Sequence, residues 1–286
     1  MKILKRVLIG VAILAVTGIV IFLNTMDFTV SQEQIDSAFS GLNYQPEFKE
    51  LDNRGRNLHY ITIGDTSKPS FLFVHGSPGT WDNFLGFLSD EKLLEKYHLI
   101  AVDRPGFGKS DYGKPERSLK KQSEDILAVL IEEQTTATLI GHSYGGPVIM
   151  RMAIDAPELV DGLISVAGSV DPELEKTKWY QIPVHYKVLS WILPGFLYST
   201  NEEILALKKE LEEMIPCWKN ITQPVSVIQG GKDNLVPEGN AYFIENMLPH
   251  NNPNMVIIPE MNHFVPWTNP DLIRDEMEYI TRKIGN

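Results

Sequence analysis

The sequence contains one cysteine, Cys217, which excludes an intrachain disulfide and any cysteine-rich metal site. Packing alone must hold the fold. Cys217 lies in Met214-Ile215-Pro216-Cys217-Trp218, among apolar neighbours and without a glycine turn to present it, so it reads as a small core hydrophobe rather than a nucleophile. Positive charge is also short: 26 Lys and Arg stand against 37 Asp and Glu, a formal net charge of −11, which leaves no basic majority from which to build a nucleic-acid groove. There is no H-E-x-x-H, no Cys/His cluster at ligand spacing and no G-x-G-x-x-G after a strand, so neither a metal nor a dinucleotide cofactor is expected. Internal repeats and low-complexity tracts are lacking too, and no obligate protein partner is implied. What is present is an ordinary globular composition, 43% hydrophobic and 22% charged, in 286 residues, enough for one large domain.

One long apolar run stands apart. Val7 to Leu23, VLIGVAILAVTGIVIFL, carries no charge over 17 residues; it follows Lys2, Lys5 and Arg6 and precedes Asp27 and Glu33. That length is at the short end for a bilayer span and long for the apolar part of a cleaved signal peptide. Asn24-Thr25-Met26-Asp27-Phe28 offers no clear small-x-small cleavage site, and no nearby cysteine could carry a lipid, which favours an uncleaved signal anchor over a removed signal. A buried core helix is the weaker alternative, because the run has no polar face at helical spacing. The positive flank should keep the N-terminus in the cytoplasm and the bulk outside it, periplasmic or extracellular. Residues 1–26 are thus expected to form a single-pass transmembrane anchor, 27–54 a juxtamembrane tether with a short amphipathic stretch, and 55–286 the globular domain.

From Gly55 strand, turn and helix alternate. Short β-rich runs fall at Leu58 to Ile63, Phe71 to Val74, Leu99 to Val102, Ala137 to Ile140, Gly162 to Val166, Val225 to Ile228 and Asn254 to Ile258, with helical stretches such as Leu119 to Gln134 and Pro147 to Asp155 between them. This implies an α/β fold with a mostly parallel sheet covered on both faces. The alternation breaks at about 170–223, where Trp179, Tyr180, Tyr186, Trp191, Phe196 and Tyr198 cluster ahead of a charged helix, Asn201 to Met214. The insertion reads as a helical cap or lid, with a peripheral helical pair on the sheet as the alternative.

The strongest local signal is Gly141-His142-Ser143-Tyr144-Gly145, a G-x-S-x-G element after one β-rich run and before an apolar helix. The tight turn lifts Ser143 off the end of a strand, and flanking glycines remove the Cβ atoms that would clash there. With this element, Phe71-Leu72-Phe73-Val74-His75-Gly76-Ser77-Pro78-Gly79 resembles the strand and oxyanion loop of the α/β-hydrolase superfamily. Ala101-Val102-Asp103-Arg104-Pro105-Gly106-Phe107-Gly108-Lys109-Ser110 resembles the turn after its next strand. The resemblance runs from about Gly55 to the C-terminus and implies an eight-stranded-type sheet. It also implies an oxyanion hole made by the backbone N–H groups of Ser77 and Tyr144, with His75 and Gly76 in the supporting loop and His75 holding that loop by hydrogen bonds.

A serine needs a base, and the base an acid to orient it. His263, after the last β-rich run, stands at the family's position for the base. Asp233 follows a strand ending in Gly230-Gly231, and the order Ser143, Asp233, His263 agrees with the superfamily; Asp171 is the rival acid. Asp103 is expected to brace the neighbouring loop. The side chain of His142 is expected to point away from the base, and His59, His98, His185 and His250 are expected at the surface or in caps. The expected activity is hydrolysis of a small-molecule acyl substrate, a carboxylic ester first, through an acyl-enzyme. Proline iminopeptidase-type cleavage, carbon–carbon bond hydrolysis, perhydrolysis and acyl transfer use the same triad and stay open; a non-catalytic binding module is disfavoured because all three triad members are present. Relatives that open epoxides carry a carboxylate where this chain has Ser143.

Overall fold

The computed structural model describes residues 2–25, 29–179, 181–186 and 193–285. Eight strands form one sheet: β1 (Glu47–Asn53), β2 (Arg56–Ile63), β3 (Ser70–Val74), β4 (His98–Val102), β5 (Ala137–His142), β6 (Val160–Val166), β7 (Val225–Gly230) and β8 (Asn254–Ile258). Their order is β1-β2-β4-β3-β5-β6-β7-β8. β1 and β2 pair antiparallel, as do β2 and β4, and every later pairing is parallel.

The period-2 alternation of side chains divides the core into two layers. Leu72, Val74 and Leu139 point to one face, under the helices Leu119–Glu132 and Gly145–Asp155. Phe71, Phe73 and Ile140 point to the other, where Phe84, Phe87 and the helix Pro270–Ile284 cover them. Because both faces are buried, the central parallel strands β3 to β7 are near-continuous apolar runs and legible in the sequence.

Three differences from the sequence reading concern elements. Residues 47–53, assigned to the tether, are strand β1, paired along its whole length with β2. The amphipathic stretch is the helix Gln32–Phe39, capped by Ser31 and Gln34, with Phe39 buried in the second core layer. The charged helix of the insertion starts earlier, at Gly195 after Pro194, and runs to Met214. Its second half is core wall, since Leu207, Leu211 and Met214 are buried, while Ser199, Thr200 and Glu203 reach the loops above the sheet. Of the six aromatic residues in the insertion, Tyr180 and Trp191 lie outside the described residues.

The N-terminal helix covers Lys2–Thr25, and Leu8, Leu14, Ile19 and Phe22 are exposed on it. Among the described residues, which leave out the side chains of Val7, Ala12 and Ile13, no helix is long and apolar enough to cross a membrane.

Candidate active site

Ser143 immediately follows β5 and adopts φ +54°, in the left-handed region that a non-glycine residue enters only when its surroundings hold it there. The turn is pinned by the Ser143 N–H donating to Val166 O at 2.9 Å and by Ser143 O accepting from Gly146 N at 2.9 Å. The helix Gly145–Asp155 starts against β3 so closely that a Cβ on Gly145 would collide with the Val74 carbonyl. That approach aims the first N–H groups of the helix at the space above Ser143.

Asp233 and His263 arrive from the ends of β7 and β8. The His263 Nδ1–H donates to Asp233 Oδ2 at 2.7 Å, and Asp233 Oδ1 accepts from the N–H groups of Leu235 and Val236 at 2.9 and 2.8 Å. The carboxylate fixes the imidazole tautomer, leaving Nε2 as the free acceptor. Asp171 is not in this group; its carboxylate caps the Glu173 N–H at 2.9 Å. Ser143 and His263 line one cavity of about 1130 Å³ together with Gly76, Ser77, Phe196 and Trp267. The hydroxyl-to-imidazole bond that would complete the set is not formed here, as is common before substrate binds.

Two histidines expected elsewhere belong to this neighbourhood. The His142 ring does not turn away from the base: it packs on the His263 ring with centroids 4.9 Å apart, and its Nε2–H donates to His263 O at 3.1 Å. A buried imidazole N–H needs an acceptor, and that carbonyl is the one within reach. Burial and the adjacent His263 push the His142 pKa down to about 3. His59 is buried rather than superficial, its Nδ1 2.8 Å from Asp103 Oδ2. Asp103 also accepts from the N–H groups of Trp81 and Lys109, each at 2.9 Å, so one carboxylate ties β2 to the loops flanking the cavity. His98 is likewise buried, between Thr62 and Ser70 on neighbouring strands. His185 lies beside Glu202 in the insertion, and His250 is exposed.

A family profile described as alpha/beta hydrolase fold matches residues 69–200. Mouse epoxide hydrolase 4 is 30% identical over 124 residues, which is 42% of this chain and 33% of that protein, so the match spans about a third of the relative. Among solved structures, a putative lipase from Acinetobacter baumannii superposes with a TM-score of 0.68 at 19% identity, covering 91% of this chain and 99% of that one. A bacterial membrane phospholipase A superposes with a TM-score of 0.66 at 17% identity, covering 100% and 97%. The chain has the α/β-hydrolase fold.

In this fold the loop after β3 is held by His75 together with Arg104 and Glu203, two residues that sequence reasoning did not single out. His75 accepts the Arg104 N–H on Nε2 at 2.9 Å and therefore carries its proton on Nδ1, which donates to Gly76 O at 2.7 Å. Burial and the Arg104 guanidinium hold His75 well below the usual imidazole range, so the ring is neutral. Arg104 and its partner Glu203 are 99 positions apart and both fully buried. No local pattern announces such a pair. The one available cue was an arginine two positions past an apolar strand, in Asp103-Arg104-Pro105.

Proposed function

We propose that this protein is a serine hydrolase acting on carboxylic esters through an acyl-enzyme. The observation that carries the reading is the His263–Asp233 bond opening onto the same cavity as a serine held in the left-handed elbow. In the first step the Ser143 hydroxyl proton passes to His263 Nε2 while Oγ bonds to the substrate carbonyl carbon. The carbonyl electron pair moves to oxygen, which the Ser77 and Tyr144 N–H groups receive. Collapse expels the alcohol, which takes the proton from His263. Water then repeats the sequence and releases the acid, returning the proton to Ser143.

Esters are favoured over epoxides because the family resemblance implies a carboxylate nucleophile for epoxide opening at the position held here by Ser143. Phe107, Phe196, Leu235, Phe264 and Trp267 on the cavity wall suit an apolar acyl or alcohol group. A fluorophosphonate probe is expected to label the wild type at Ser143 and not Ser143→Ala. Labelling that persists in the variant overturns the assignment. A panel of short and long acyl esters, aminoacyl amides and lactones then separates esterase from peptidase action.

We also infer that residues 1–26 anchor the protein in the membrane, with the N-terminus cytoplasmic and the catalytic domain outside. The support is the charge asymmetry around the uninterrupted run Val7 to Leu23 and the helical conformation of Lys2–Thr25.

A further inference from the structure

The Gly76 carbonyl and the Ser77 N–H are two ends of one planar peptide unit, so whatever grips the carbonyl aims the N–H. Gly76 O accepts from Arg104 Nη2 at 2.8 Å as well as from His75 Nδ1 at 2.7 Å. The preceding peptide is held as firmly: His75 O accepts from Arg104 Nε at 2.8 Å. The guanidinium is itself fixed by Glu203, with Nη1 2.7 Å from Oε2 and Nη2 2.9 Å from Oε1, and by Gln122 Oε1 at 2.9 Å from Nη1. It also lies 4.6 Å from the centre of the Tyr144 ring. One cation therefore grips the peptide unit that carries the Ser77 N–H and lies against the ring of Tyr144.

Glu203 belongs to the insertion helix Gly195–Met214, and a second tie runs the same way, from Ser77 Oγ to Thr200 Oγ1 at 3.1 Å. The insertion helix thus holds the loop that packs against Ser143.

We propose that Arg104 and Glu203 are positioning residues that set the direction of the Ser77 N–H, and through the ring contact that of Tyr144, toward the developing oxyanion. This rests on the serine-hydrolase reading above. A buried ion pair replaced whole by apolar side chains commonly costs a protein no stability, whereas removing one partner strands a charge. Positioning and stabilisation can therefore be separated.

The decisive variant is Arg104→Met combined with Glu203→Leu, compared with Glu203→Gln and the wild type. The readouts are ester turnover, affinity for a boronic acid that forms a tetrahedral adduct on Ser143, and thermal midpoint. The double variant is expected to keep a near-wild-type midpoint, to hold KM within about twofold, and to lose kcat and boronic-acid affinity by the same factor. That factor should lie between about tenfold and a thousandfold, the latter being the loss of a whole oxyanion donor. If the double variant fails to fold, Glu203→Gln, which keeps one acceptor for the guanidinium, is expected to show the same parallel losses at smaller size.

Recovery of wild-type turnover in a folded double variant overturns the proposal and leaves the pair a structural tie. So does a fall in kcat with boronic-acid affinity unchanged. A wild type that fluorophosphonate does not label at Ser143 removes the serine-hydrolase reading itself. A labelled and active wild type with equally active variants removes only the positioning role.

Discussion

At the scale of single residues, the site depends on which groups hold protons. In the proposed mechanism His263 receives the Ser143 proton only if its own proton stays on Nδ1, and the bond to Asp233 would enforce that. Asp233→Asn can bond the wrong tautomer, and kcat is expected to fall about 10⁴-fold with KM little changed. Asp171→Asn, which removes only a cap on Glu173, should leave turnover near wild type. Equal losses in the two variants would reopen the choice of acid. His142 makes a different prediction. An unfolded chain protonates this histidine below about pH 6.5, while burial keeps the folded one neutral down to about 3. Protons therefore favour the unfolded state, and this contribution to stability, complete above pH 6.5, is lost as pH falls toward 3. One such group gives a slope of at most about 1.4 kcal/mol per pH unit. His142→Gln keeps a donor for the His263 carbonyl and should flatten the dependence of the urea midpoint between pH 6.5 and 4.5. An unchanged slope would show that His142 takes no part in acid sensitivity.

At the scale of elements, the approach of the helix Gly145–Asp155 to β3 is among the tightest fits at the site. A Cβ on Gly145 meets backbone, which cannot swing aside as a side chain can. Gly145→Ala is expected to lower stability by about 1–3 kcal/mol or more and to reduce turnover by shifting the Tyr144 N–H. Gly86→Ala, with open space around its Cβ, should do neither. Thermal midpoints and ester turnover of both variants check this, and a silent Gly145→Ala would contradict it.

The strands that carry the site were legible because parallel strands buried on both faces must be apolar throughout, and each ends in a glycine-rich or polar turn. β1 was not legible: EFKELDN is an edge strand with half its side chains in water, and it lacks the apolar run that marks the others. Ser143 could be found from its turn alone; Asp233 was favoured over Asp171 by its place after a strand ending in glycines, while its bond to His263 is visible only in three dimensions. Arg104, Glu203 and His142 stayed hidden because their roles depend on partners distant in the chain.

At the scale of the whole molecule, the N-terminal helix meets the cavity lined by Ser143 and His263. Thr25 and Thr29 line the same cavity as Ser143, and the Val30 N–H donates to Asp82 Oδ2 at 2.9 Å on its rim. A helix of 24 residues is about 36 Å long. With that helix in a bilayer, the cavity mouth would lie close to the lipid surface, beside the half-exposed Phe264 and Trp267. The full chain is therefore expected to stay with membranes through an alkaline carbonate wash and to retain Met1 to Leu23 by mass spectrometry. A protein released by the wash, or one beginning near Asp27, contradicts the anchor. Protease added outside spheroplasts should digest the catalytic domain; protection would reverse the orientation. Removal of residues 1–28 should depress turnover of long-chain esters carried in phosphatidylcholine vesicles far more than turnover of short soluble esters, because only the former need the mouth held at the bilayer. An equal loss on both substrates would mean that the helix supports the fold of the site rather than its access to lipid.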